Sequence, residues 1–326
     1  MASVGDSSRG VSSGGDSTGG ACVGLDELVK LRVQARGFAF LPRQPMHSIL
    51  AGKHGSRLRG RGLDFDEIRA YMPGDDIRTM DWRVTARLRE PHIRVYNEER
   101  DRPGILVVDQ RATMFFGSVA EMKSVTAAKL AALGAWRILE QDDRVGAVIF
   151  GDTEIREVRP RRSRRTVMQI LHHLRDFNQR LLQPAGRRTV SLNQALERCS
   201  RLASHDCLVT IISDFVDVDE ESRRLMTRIA EHNDVLVGYV HDPMEALLPA
   251  AGRLVITGEE GQLELNSDDP RLRERFAQDH VQRLVRARKF LQKRAVPVLP
   301  IDTRGDVAGQ LRDLLGQARA QRRRKP

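Results

Sequence analysis

Downstream of Arg102 the chain repeats one rhythm, in which short apolar runs are separated by longer amphipathic stretches. The runs are ILVVD at 105–109, VGAVIF at 145–150, CLVTIIS at 207–213, VLVGYV at 235–240 and VPVLPID at 296–302. Each has the length of a strand and is apolar at nearly every position, which predicts strands buried on both faces. Between them, helical spacing predicts helices at about 119–140, 166–180, 191–203, 220–232, 270–293 and 306–319. Such alternation predicts an α/β fold, a mostly parallel sheet with helices on both faces. Sites in sheets of this kind lie where strands exit into loops at their carboxyl ends. Asp109, Gly151 and Asp214 stand at those exits.

The preceding segment has a different pattern. Apolar residues at 25, 28, 29 and 33 predict a short amphipathic helix from Leu25 to about Arg36. Leu63, Phe65, Ile68 and Tyr71 then lead to a turn at Pro73-Gly74, where Pro presets the first dihedral and Gly accepts a positive φ. Asp75 or Asp76 is expected to cap a short helix running through Arg87, and Ile93 and Val95 alternate with polar neighbours as in a strand. A small N-terminal module containing a β-hairpin is the expectation. Residues 1–24 hold seven Gly and six Ser, too little apolar surface to offset the entropy of ordering, and are expected to be disordered. The expected organisation is a tail at 1–24, a module at 25–101, the sheet domain at 102–318 and a basic tail at 319–326.

No apolar run approaches the roughly 18 residues of a membrane helix, and the N-terminus has no apolar signal region. A cytoplasmic location without membrane insertion is expected. Cys22, Cys199 and Cys207 lack metal-ligand spacing and read as reduced thiols. The net charge of +10 favours an anionic partner. Six arginines lie in REVRPRRSRR at 156–165 and five basic residues in the last eight, yet aromatic residues for base stacking are not interleaved with them. Solvated basic loops or docking sites for an acidic protein are the expectation there, with nucleic-acid binding as the alternative. The match Gly15-Asp16-Ser17-Thr18-Gly19 to a serine-hydrolase elbow has no strand before it and reads as chance. No phosphate-binding loop is present, so any nucleotide hydrolysis belongs to a partner.

Asp109 and Asp214, at two strand exits, could together hold a hard divalent cation such as Mg²⁺. The segments ILVVDQRATM and IISDF, with the strand-helix alternation, resemble the von Willebrand factor A fold, a Rossmann-like architecture. Its metal-ion-dependent adhesion site reads Asp-x-Ser-x-Ser. Asp109 and Thr113 fit the outer positions, but Arg111 stands at the middle one. A guanidinium has no lone pair to give a metal and is permanently charged, so an Asp109–Arg111 ion pair and a degenerate site without metal or cofactor are expected. The threonine ligand of that family would fall at Val190, with Thr189 and Ser191 one position away on either side.

The stretch GRGLDFDEIRAYMPGDDIRTMDWRVTARLREPHIRVYNEERDRPGILVVDQ resembles the signature of the bacterial domain-of-unknown-function family 58, DUF58. The pattern is matched at Arg69, Tyr71, Gly74, Asp75, Arg78, Asp81, Trp82, Ala86 and Arg87, and the likeness extends from about Leu25 to Leu315. That resemblance implies a von Willebrand A-like domain and a non-enzymatic adaptor role beside a MoxR-type AAA+ ATPase and other von Willebrand A proteins. The charged stretch 71–87 holds no His, Cys or Ser nucleophile, and its carboxylates are interleaved with arginines that keep them ionised. A scaffold is expected in which Asp75, Asp81, Arg78 and Arg87 form ion pairs while Trp82 and Tyr71 are buried, with a partner surface at the same place.

Overall fold

The computed structural model describes residues 20–36, 63–98, 102–183, 188–246, 248, 250–258, 261–278 and 296–323. In chain order the first elements are α1 (Leu25–Ala35), β1 (Leu63–Ala70), α2 (Trp82–Leu88), β2 (His92–Glu98) and β3 (Gly104–Asp109). Next come α3 (Lys123–Glu140), β4 (Val145–Phe150), β5 (Ile155–Arg161), α4 (Arg164–Arg180), α5 (Leu192–Leu202) and β6 (Leu208–Ser213). The last are α6 (Glu220–His232), β7 (Asp234–His241), α7 (Pro243–Ala246), β8 (Arg253–Gly258) and β9 (Gly261–Asn266), α8 (residues 270–278), β10 (Val298–Asp302) and α9 (Val307–Arg323). Of the tail expected to be disordered at 1–24, residues 1–19, with the hydrolase-like match, lie outside the described residues, as do most of the helix expected at 270–293 and the last residues of the basic tail. Residues 20–24 are ordered instead, with Val23 buried and its N–H donating to Asn178 Oδ1 at 2.9 Å.

Two compact units are present, one of Met1–Phe40 with Pro103–Pro326 and one of Leu41–Arg102. The larger contains a six-stranded sheet in the order β10-β7-β6-β3-β4-β5, parallel except for β5, which runs antiparallel to β4 at one edge. This is the expected α/β architecture. Strands β3, β4 and β6 are buried at every position, so their sequences carry no polar alternation. Helix α3 is the central helix of one face and packs against β3, β4, β6, β7 and β10; α1, α4 and α9 lie beside it. Fourteen of its eighteen residues are buried. Helices α5 and α6 cover the other face, where Leu192, Leu196, Met226 and Ile229 join Ile105, Val107, Val209 and Val237 in one core cluster. Gly238 of β7 leaves room for Leu130 of α3, whose Cδ2 would lie 2.7 Å from an added Cβ.

Helix α1 was read from sequence with the N-terminal module. It packs instead on α3, burying Leu28, Leu31 and Ala35, while Trp136 Nε1 donates to the Leu28 carbonyl at 3.1 Å. Strand β5 was read as a basic loop. It holds three arginines and one glutamate in seven residues and contains Pro160, which has no N–H for a ladder. The ladder accommodates Pro160 by a register shift opposite Val145–Ala147, and Gly146 makes that possible. A Cβ at Gly146 would lie 2.6 Å from the Val158 carbonyl oxygen and 2.8 Å from the Pro160 nitrogen. The β8–β9 hairpin was not anticipated either.

The smaller unit is an antiparallel ribbon of β1 and β2, with a bulge between Phe65 and Glu67. The residues joining the strands form a compact excursion. Gly74, at φ +107°, makes the expected turn. Asp75 accepts two hydrogen bonds from Arg69, both at 2.8 Å, and one from the Met72 N–H. Asp76 caps only a 3₁₀ turn at Ile77–Thr79. The helix begins later than expected, because Asp81 caps α2 through the N–H groups of Arg83 and Val84 and also accepts from Arg94 Nε at 2.7 Å. Arg69 and Arg94 hold the carboxyls of Asp75 and Asp81, respectively, below the usual range. The expected partners were Arg78 and Arg87; both are exposed and have no carboxylate partner among the described residues. Trp82, expected to be buried, is 68% exposed.

Candidate functional site

The carboxyl end of β3 delivers Asp109, fully buried, and the chain then turns through a 3₁₀ segment at Ala112–Met114. Within that turn the Arg111 side chain folds back over its own strand end. Arg111 Nε donates to Asp109 Oδ1 at 2.9 Å and Nη2 to Oδ2 at 2.7 Å, so the guanidinium grips both carboxylate oxygens side-on. The Arg111 N–H donates to Oδ1 as well, at 3.1 Å, and Ser213 Oγ donates to Oδ2 at 2.7 Å. The remaining guanidinium nitrogen, Nη1, reaches Asp217 in the loop after β6 at 2.9 Å. Phe150, at the end of β4, places its ring centroid 5.3 Å from the guanidinium carbon. The side chain of Arg111 is 0% exposed. Burial opposes its charge, but Asp109, with Asp214 and Asp217, more than offsets that, and its pKa stands above the ordinary arginine value.

Asp214 belongs to a second, adjacent arrangement. Its Oδ2 accepts from Nζ of Lys123, the first residue of α3, at 2.9 Å, and the same ammonium donates to Glu245 of α7 at 2.7 Å. Lys123 is as buried as Arg111, and here too burial is outweighed, by Asp214 and Glu245, so its pKa is raised. A third carboxylate, Asp242 at the end of β7, is fully buried and accepts from the Ser118 N–H and hydroxyl, the Thr303 hydroxyl and the Met244 N–H. These hydrogen bonds outweigh burial and hold its carboxyl below the usual range. Asp152, beyond β4, accepts from the Ala112 N–H. The strand ends therefore carry a ring of acids with two buried cations inserted among them.

The sequence pointed to Asp109, Arg111, Thr113 and Asp214, and the fold brings them to one end of the sheet. It missed Lys123, Asp217, Asp242 and Glu245. Lys123 left one trace: a cation in the first turn of a helix opposes the macrodipole and needs a compensating acid elsewhere. The loop after β6 has a further peculiarity, since Phe215 is buried with φ +53°, a strained conformation for a bulky side chain. It separates Asp214, turned to Lys123, from Asp217, turned to Arg111 and Arg188.

These residues do not fit a divalent cation. Thr113 Oγ1 is buried without a hydrogen-bond partner among the described residues, and that orphan oxygen alone would suit one. Both oxygens of Asp109 are engaged by the guanidinium, and Asp214 Oδ2 holds the ammonium of Lys123. Around position 190, Val190 is buried and gives no oxygen from its side chain. Thr189 Oγ1 donates to the Asp152 carbonyl at 3.4 Å, and Ser191 is committed to a capping box at the start of α5. Among the described residues no cluster of three or more His, Cys, Asp or Glu is arranged to hold a metal ion, and no helix is long and apolar enough to cross a membrane.

The signature residues form a separate cluster in the smaller unit. On the outer face of α2, Trp82, Arg83, Ala86 and Arg87 are exposed at helical spacing, and the opposite side carries Asp81, Val84 and Thr85, whose hydroxyl accepts from the His92 N–H at 3.0 Å. Met72, Ile77 and Leu88 are also more than half exposed.

Comparison with known proteins gives these two clusters a common context. The chain is 31% identical over 278 residues to the uncharacterized protein Rv1480 of Mycobacterium tuberculosis and, to the same degree, to the uncharacterized protein Mb1516 of Mycobacterium bovis; the match covers 85% of this chain and 86% of each relative. Among solved structures, the conserved hypothetical protein BatB from Bacteroides thetaiotaomicron is similar at 14% identity and a TM-score of 0.42, over 68% of this chain and 99% of that one. The family model described as protein of unknown function DUF58 matches residues 67–286, which span the α2 cluster and the strand-end acids alike. The chain belongs to the DUF58 family.

Proposed function

We propose that this chain is a non-enzymatic binding protein, an adaptor that works with a MoxR-type AAA+ ATPase in assembling or activating other proteins. One observation carries the non-enzymatic half of this reading: a guanidinium with no exposed surface saturates Asp109, at the position where the von Willebrand A fold that the sequence resembles would hold a metal. The two central acids of the site, Asp109 and Asp214, are each bound to an internal cation, which occupies the groups that would serve as general base or metal ligand and supports a binding role over hydrolytic chemistry. What the site does instead is lock the strand-end loops into one shape.

The outer face of α2 supplies the other half. Trp and Arg are enriched among residues that dominate binding energy, and here Trp82 and Arg87 are exposed with no partner inside the chain among the described residues. Affinity purification of the tagged chain from its own cells tests the reading. Recovery of an AAA+ ATPase is expected from the wild type. In a Trp82→Ala, Arg87→Ala variant that recovery falls at least tenfold, while thermal stability changes by no more than about 0.5 kcal/mol, as for surface substitutions. An eluate without any ATPase, or one unaffected by the double substitution, rejects the assignment.

A further inference from the structure

The edge of the sheet carries a second surface that the strand-end site does not use. Strand β5 and the first turn of α4 enclose a groove of about 480 Å³, within the size range of ligand clefts, whose walls include Arg159, Arg161, Ser163, Arg165, Thr166 and Gln169. Arg159, Arg161 and Arg165 are exposed, and none has an acidic partner among the described residues. Glu157, the one acid on the rim, is paired with Arg198 of α5 at 2.8 Å. No other Asp or Glu occurs until Asp176. The three guanidinium groups therefore stand exposed on the groove without a carboxylate of their own among the described residues, while Asp142 and Asp143 precede β4 at the same end of the sheet. Because β5 runs antiparallel, its Arg161 lies opposite Val145, at the amino end of β4. Five residues of strand, roughly 17 Å, separate Arg161 from the candidate site at the other end of β4.

We infer that this groove is a docking surface for an acidic polypeptide segment, one bearing closely spaced carboxylates. Guanidinium groups pair with carboxylates through two parallel hydrogen bonds, and three of them line a cleft large enough for a few residues of extended chain. The Thr166 hydroxyl and Gln169 amide offer hydrogen bonds of the kind that peptide groups make. Pro160 lacks an N–H on the edge strand, which disfavours addition of a further strand, so side chains rather than the β5 backbone make the contact. Nothing aromatic lines the cleft on which a nucleobase could stack, and that favours polypeptide over single-stranded nucleic acid. The inference is independent of the adaptor reading, which rests on α2 and the strand ends.

Fluorescence anisotropy of the full chain with a dye-labelled hexaglutamate peptide tests it. Binding that weakens steeply with added salt is expected. Arg159→Gln, Arg161→Gln, Arg165→Gln should reduce affinity about tenfold or more, the loss of one to two charged contacts. A control that removes the same charge from exposed positions on α5 and α6, Arg201→Gln, Arg224→Gln, Arg228→Gln, should change it less than about twofold. Equal loss in both variants would reduce the effect to net charge and overturn the assignment, as would absence of peptide binding. A short single-stranded or duplex oligonucleotide that binds more tightly than the peptide, and is lost in the groove variant alone, would reassign the surface to nucleic acid.

Discussion

Arg111→Met is expected to cost the larger unit about 3–5 kcal/mol, the penalty for removing one partner of a buried ion pair. The substitution keeps an unbranched side chain but strips Asp109 of two of its four hydrogen bonds in a site with no exposed surface. Asp217 loses one partner and keeps Arg188, and being partly exposed it suffers less. Urea unfolding monitored by Trp fluorescence checks this, since Trp136 is buried in α3 of the same unit. The double substitution Asp109→Asn, Arg111→Met should recover part of the loss, because removing both charges spares the cost of an uncompensated one. If Arg111→Met alone is tolerated within about 1 kcal/mol, the pair is not what holds the strand-end loops. In the same series Arg111→Ser rebuilds Asp109-x-Ser-x-Thr113 and gives the orphan Thr113 hydroxyl a potential shared partner. Millimolar Mg²⁺ should raise the melting temperature of Arg111→Ser and leave the wild type unchanged. Stoichiometric Mg²⁺ uptake by the wild type would remove the argument for a guanidinium-filled site.

How much of this was legible in the sequence depended on the range over which the determinants act. Strands β3, β4, β6 and β7 were readable because they are buried on both faces and so carry nearly uninterrupted apolar runs, and β10, buried only at Leu299 and Ile301, was readable from its short apolar run alone. Strand β5 was not: it is an edge strand, Glu157, Arg159 and Arg161 are exposed, and Pro160 is a residue that argues against a ladder until Gly146 is seen opposite. The Asp109–Arg111 pair was readable because it is local, two residues apart on one turn. Lys123 pairs with Asp214 and Glu245, 91 and 122 residues away, and no local pattern specifies those contacts. In the small unit the signature acids were recognised as paired, but Arg78 and Arg87 of the same stretch were assumed to be the partners. The ribbon instead brings Arg94 from β2 to Asp81 and Arg69 from β1 to Asp75, which frees Arg78 and Arg87 for the surface.

Lys123→Met is the second substitution expected to be severe, again by about 3–5 kcal/mol, and its pH dependence separates it from simple loss of packing. The ammonium joins α3 to both the β6 loop and α7, and its removal leaves Asp214, itself 3% exposed, without its cation. The folded-state pKa of Lys123 is raised above the value of roughly 10.4 that the unfolded chain has. Its contribution is therefore fully present below pH 10.4 and is lost as pH rises from there through the folded value, by about 1.4 kcal/mol per pH unit, because the folded state retains a proton that the unfolded state has released. Urea unfolding of wild type and Lys123→Met between pH 7 and about pH 11.5 measures the difference directly and cancels groups that titrate alike in both. The gap between the two proteins should be constant up to pH 10 and narrow above it. A gap that stays constant to the alkaline limit would mean that the charge of Lys123 gains nothing from Asp214 and Glu245, and the two-cation description of the strand-end site would reduce to Arg111 alone.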